Sequence, residues 1–183
     1  MKRITLTICV AATILFFGCN DPKTTEKDEP KAETPATSPK DYEFGDNKFV
    51  EIGKKATASL ESGDIDGFAA NYADNAVYHW NNFDSLAGKA AITDYWKKRR
   101  TDIIDSMSHS KEIWMPIKVN TPLTEGQMTG NYVLYWFVSY AKYKTGKSMK
   151  QRIHMVYHFN DNDKIDRVSQ YLDREPINAA MAK

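Results

Sequence analysis

Near Ile113 the spacing of apolar residues changes from three or four to two, and it stays at two as far as Asp173. Ile113–Val119, Met128–Lys144, Ser148–Phe159 and Lys164–Asp173 therefore predict four strands. Thr145-Gly146-Lys147 separates the second from the third, and Asn160–Asp163 separates the third from the fourth. Both connections are short and polar, so these strands turn back on one another as antiparallel hairpins. Met128–Lys144 is apolar at both parities, with Tyr135 and Phe137 alternating with Trp136 and Val138. Both of its faces need cover.

The preceding segment supplies helices. Phe49, Ile52, Ala56 and Leu60 recur at helical steps, with Lys54, Lys55 and Glu61 on the other side. Ser62-Gly63-Asp64 ends that helix, and Asp64 is placed to cap a second over Ile65–Ala73. Ala76–Trp80 and Asp84–Ala87 predict two short strands. Gly88 opens a third helix whose stripe runs through Ile92, Tyr95 or Trp96, and Ile103 to Met107. No internal repeat follows residue 40. Helices leading into a meander make the class α+β.

The start of the chain carries a different signal. Lys2 and Arg3 precede a nearly unbroken apolar run, Ile4–Phe17, which suits a signal-peptide core but falls short of the roughly 20 residues of a membrane-spanning helix. The run ends in Leu15-Phe16-Phe17-Gly18-Cys19, which resembles a bacterial lipobox. The resemblance implies that residues 1–18 are removed and that Cys19 becomes the lipidated first residue; the alternative is an ordinary signal peptide with an incidental cysteine. Processing also removes Cys9, which leaves no pair for a disulfide and no thiol for catalysis. Residues 19–45 then read as a disordered linker, with Pro22, Pro30, Pro35 and Pro39 set among Lys, Glu, Thr and Asp. Glu26-Lys27-Asp28-Glu29 resembles the surface-export signals of Bacteroidetes lipoproteins. The expectation is a bacterial cell-envelope protein, in the outer membrane, periplasmic or surface-exposed, that touches membrane through its lipid alone. The chain has 25 Lys+Arg against 24 Asp+Glu, and loss of Lys2 and Arg3 brings the balance to about −1. That balance offers nothing to nucleic acid.

Residues 46–183 remain as one domain. "YADNAVYHW" after two helices, "LAGKAAITDYW" at the third and "DKIDRVSQYLD" on the last strand resemble the NTF2-like, or SnoaL-like, superfamily. The resemblance implies a strongly bent antiparallel sheet packed on about three helices, forming a cone with a pocket inside. Ketosteroid isomerase, scytalone dehydratase, limonene epoxide hydrolase and polyketide cyclases share this fold, and many other members only bind, so the fold leaves function open.

Strand alternation under that resemblance turns Ile153, Met155 and Tyr157 inward, together with Val168, Gln170 and Leu172. Trp136, Val138 and Tyr140 are expected to join them, with Tyr78, Trp80 and Trp96 closing the cone. The expected ligand-binding set is thus Tyr78, Trp80, Trp96, Trp136, Val138, Tyr140, Met155, Tyr157 and Gln170, an aromatic lining suited to a small molecule; plain core packing is the alternative. Isomerases of this fold need a carboxylate base and a protonated acid, but the matching positions hold Trp80 and Met155. His79, His154 and Asp173 are the remaining acid–base candidates, although alternation sets them opposite the pocket face. Thr145-Gly146-Lys147-Ser148 lies between strands and is a hairpin turn, not a phosphate loop, and Lys97–Arg100 reads as a solvated helix face. The histidines show no ligand spacing, so neither metal nor cofactor is expected. Tyr135 and Phe137, expected on the outer face, suggest a homodimer. Three functions follow: a lipid-anchored envelope protein binding a small apolar or aromatic ligand; a SnoaL-like isomerase, dehydratase or cyclase using His79 or Asp173; or a non-catalytic interaction module.

Overall fold

The computed structural model describes residues 40–182; the expected signal peptide, Cys19 and most of the expected linker lie outside the described residues. The strands in chain order are β1 (Tyr42–Phe44), β2 (Tyr72–Trp80), β3 (Ser85–Ala87), β4 (Ile104–Val119), β5 (Gly130–Tyr143), β6 (Ser148–Phe159) and β7 (Ile165–Tyr171). They form one seven-stranded sheet in the order β1-β4-β5-β6-β7-β2-β3. The helices are α1 (Asn47–Ser62), α2 (Ile65–Ala69), α3 (Lys89–Lys98) and α4 (Glu175–Met181). β2 runs parallel to β7, with Tyr78 beside Val168 and Trp80 beside Gln170, while the other pairs are antiparallel. The sheet is therefore mixed, where the sequence led to a wholly antiparallel one.

Local chemistry explains the helix ends. The Asp46 side chain accepts from the Lys48 amide, and Gly63 closes α1 at φ 84°, a left-handed conformation that glycine adopts without strain. Asp64 caps α2 through the Gly67 amide, as its position predicts, but α2 stops at Ala69. α1 and α3 lay Phe49, Leu60, Ile92 and Trp96 against the inner face of the sheet, where Val133, Tyr135, Ile153, Tyr157 and Val168 complete the core.

Three segments depart from the sequence reading. β1 pairs Tyr42 with Val119 inside the stretch read as linker. α3 ends at Lys98, passes through a π-helical turn at Arg99–Ile103 and gives way to β4 at Ile104, where the apolar spacing predicts a helix to Met107. A register shift between Ile104 and Ser106 sets the inward residues Ile104 and Met107 three apart, and that spacing imitates a helix. α4, which the sequence did not announce, packs Ile177, Ala180 and Met181 onto Ile104, Tyr143 and Met149.

The face of β5 is the consequential correction. Lys142 pairs with Ser148 and the Tyr143 amide donates to the Lys147 carbonyl, so the turn is the odd-numbered 144–146, and residues of equal parity face one another: Tyr135 pairs with Met155 and Phe137 with Ile153. Tyr135 and Phe137 therefore point inward and are buried. Trp136, Val138 and Tyr140 lie on the outer face, where Trp136 stacks on His154 at 4.6 Å and the Tyr140 hydroxyl meets Ser148 Oγ at 3.1 Å.

Candidate functional site

A partly open cavity of about 110 Å3 lies between the helices and the inner sheet face. Its walls are Tyr78 and Trp80 from β2, Trp96 from α3, Met107 and His109 from β4, Phe137 and Ser139 from β5, Met155 and Tyr157 from β6, and Gln170 from β7. Leu172, Arg174, Ile177 and Met181 close the end covered by α4. Tyr78, Trp80, Trp96, Met155, Tyr157 and Gln170 are thus brought together as expected. Trp136, Val138 and Tyr140 are not, because the parity of the β5–β6 turn sends them outward. Tyr135 and Phe137 are not on the outer face, which removes them from any contact made there.

The polar centre of the cavity is Gln170, which is buried. Its Oε1 accepts from the Tyr78 hydroxyl at 2.9 Å and from Trp80 Nε1 at 3.0 Å. Two donors meeting on one atom require the carbonyl oxygen there, so the amide NH2 is left for the cavity. Burial raises the Tyr78 hydroxyl well above its ordinary pKa, and burial pushes Tyr157 up to about 12 despite a hydrogen bond from Thr57. Both phenols stay neutral near pH 7.

The acid–base candidates named from the sequence fall elsewhere. His79 sits half-buried on the outer side of β2, its pKa lowered by burial and then by the Arg167 charge. His154 lies on the outer face between the Trp136 and Tyr171 rings, its pKa lowered by burial. Asp173 is exposed and accepts from the Glu175 amide at 2.9 Å, just ahead of α4.

They lie off the pocket face, as alternation predicts, and the histidine that lines the cavity is His109. Its Nδ1 is 3.1 Å from Glu61 Oε1 on α1 and 3.4 Å from the Tyr135 hydroxyl. The contact with Glu61 is short but is not aligned as a hydrogen bond, and Glu61 Oε1 is buried without another partner among the described residues. Burial lowers the His109 pKa to about 4, against a smaller upward pull from Glu112, and burial raises Glu61. The imidazole is neutral at pH 7. His109 escapes the sequence reading because the helical spacing up to Met107 masks the start of its strand; the alternation in Ser106-Met107-Ser108-His109-Ser110 is the period-two signal that identifies it. Glu61, His109 and Glu112 present ligand atoms within 4.8 Å of one another. Donors around a tetrahedral zinc ion stand about 3.4 Å apart, and Glu112 already accepts from Trp114 Nε1 at 2.9 Å. The grouping handles protons better than it holds a metal.

The SnoaL-like domain family matches residues 54–168. Similar solved structures include a candidate polyketide cyclase of Xanthomonas campestris pv. campestris, at 16% identity and TM-score 0.59 over 74% of this chain and 98% of that one. An LEH-like epoxide hydrolase of M. tuberculosis is 12% identical, with TM-score 0.57 over 74% of this chain and 90% of its own. The ketosteroid isomerase of a Mycobacterium species is 18% identical, with TM-score 0.52 over 70% and 95%. No curated protein matches the chain. At such identities the likeness establishes an NTF2-like fold and carries no chemistry. The cavity walls and the length of the family match agree, and the chain belongs to the SnoaL-like domain family.

Proposed function

We propose that this protein is a lipid-anchored envelope protein whose SnoaL-like domain binds a small, flat, largely apolar molecule. The observation that carries the reading is the aromatic cavity with Gln170 at its centre. Its size sets the ligand class: an apolar cavity of about 150 Å3 accommodates benzene, so about 110 Å3 suits one ring rather than a fused polycycle. Trp80 and Trp96 line the cavity, so their fluorescence reports occupancy. Titration with benzene, toluene and ethylbenzene should change it saturably; no response to any of the three overturns the reading. The anchor rests on the apolar run before Cys19, and mass spectrometry of the membrane fraction should find an acylated Cys19 at the N-terminus. A homodimer through the outer face belongs to the same proposal, now with Trp136, His154 and Tyr171 as the contact. Trp136→Glu should then shift the sedimentation of a dimer to that of a monomer.

A second reading, proton transfer, is favoured by His109 with Glu61 behind it. A neutral imidazole facing a largely apolar cavity can take a proton from a bound acidic C–H and return it elsewhere. Exchange of ligand protons for deuterium in D2O, abolished in His109→Gln, is its test.

A further inference from the structure

Donors outnumber acceptors on the cavity wall, and every formal charge on it is positive. No aspartate or glutamate lines the cavity among the described residues, whereas Arg99 and Arg174 do. Arg174 sits over the Trp80 ring at 5.7 Å and is partly committed to Asp84 at 3.3 Å, yet its Nε is buried without a partner. Arg99 lies over the Tyr95 ring at 5.6 Å and makes no ion pair among the described residues. Trp96 is 8% exposed, and its Nε1 is a buried donor with no acceptor. The Gln170 amide adds an NH2 turned away from the two donors its oxygen accepts.

Unpaired donors and a cation beside low-dielectric aromatic walls are costly to desolvate, and the cost falls when an anion arrives to accept from them. We propose that the ligand is a carboxylate: a single-ring aromatic acid whose ring packs among Tyr78, Trp80 and Trp96 and whose carboxylate is held by Arg99, with Arg174 beside it. The planar guanidinium matches a carboxylate edge with two parallel hydrogen bonds, which a single ammonium group cannot reproduce. This assignment rests on the binding reading above and narrows it to one ligand chemistry.

Calorimetric titration of the full chain with benzoate and with benzamide, its neutral counterpart of the same shape, tests the assignment. Benzoate should bind at least about tenfold more tightly, the scale of one charge-assisted hydrogen bond. Arg99→Gln should weaken benzoate far more than benzamide, bringing the two affinities to within about threefold of each other, and Arg99→Lys should restore only part of the preference. Should Arg99→Gln fail to fold, salt makes the same distinction on the native protein: raising it from about 0.05 to 0.5 M should weaken benzoate and spare benzamide. Equal affinity for the two probes overturns the carboxylate assignment while the binding reading stands. Binding of neither overturns both.

Discussion

Gln170 shows how one side chain organises the cavity. Replacing it with leucine strands the Tyr78 hydroxyl and Trp80 Nε1, two buried donors worth about 1–3 kcal/mol each when unsatisfied. Gln170→Leu should therefore cost roughly 3 kcal/mol in urea unfolding, and Gln170→Glu, which keeps an acceptor, should cost less. Equal losses would show that side-chain volume matters and the hydrogen bonds do not. His109 makes the second residue-level prediction. Its folded pKa of about 4 lies below the ordinary value of 6.5, so between these values the unfolded chain binds a proton that the folded chain excludes. Stability then rises with pH across that window and is lost on acidification from 6.5 towards about 4, by at most about 3 kcal/mol. His79 and His154, lowered by burial, act in the same sense, while the raised Glu61 opposes them. Unfolding midpoints compared at pH about 4.5 and 7 should converge in His109→Gln relative to the native chain; an unchanged difference would assign the effect to other groups.

At the scale of elements, β5 states its orientation through a mutant pair. Tyr135 is 0% exposed and stacks on Trp114 at 3.5 Å, whereas Trp136 covers only the outer-face His154. Tyr135→Ala should cost about 3–5 kcal/mol and Trp136→Ala under about 1 kcal/mol, as read from denaturant midpoints. The reverse order would mean that the strand has the opposite face inward. α1 also comes close to β4 near its middle, where a Cβ added to Gly53 would stand 2.9 Å from Trp114 Cζ3. Gly53→Ala pushes that indole off Tyr135, so despite the better helix propensity of alanine it should destabilise by about 1–3 kcal/mol. Thermal melts check this, and a raised melting temperature would show that the ring yields without cost.

At the scale of the whole molecule, α4 is the last piece of the cavity. Ile177 and Met181 line it, and the Ala180 carbonyl accepts from Thr145 Oγ1 in the β5–β6 turn at 2.6 Å. A chain ending at Arg174 should lose roughly 2–5 kcal/mol of stability and release a bound probe faster in stopped-flow fluorescence, because apolar cover is removed from one end. Unchanged release would place the ligand's exit elsewhere. Local period and turns of readable length were enough for the α+β class, the β6 and β7 faces, the Asp64 cap and the Gln170-centred aromatic wall. The apolar pattern could not orient β5, whose two parities are both apolar; its pairing with β6, Tyr135 beside Met155 and Phe137 beside Ile153, decided that. Nor could it place His109, because its partner Glu61 is on α1 and register shifts between Ile104 and Ser106 and between Ser110 and Ile113 break the period around it. Alternation is a local signal, whereas the meeting of α1, β4 and β5 at one imidazole depends on contacts between residues far apart in the chain, and only the packed tertiary structure brings them together.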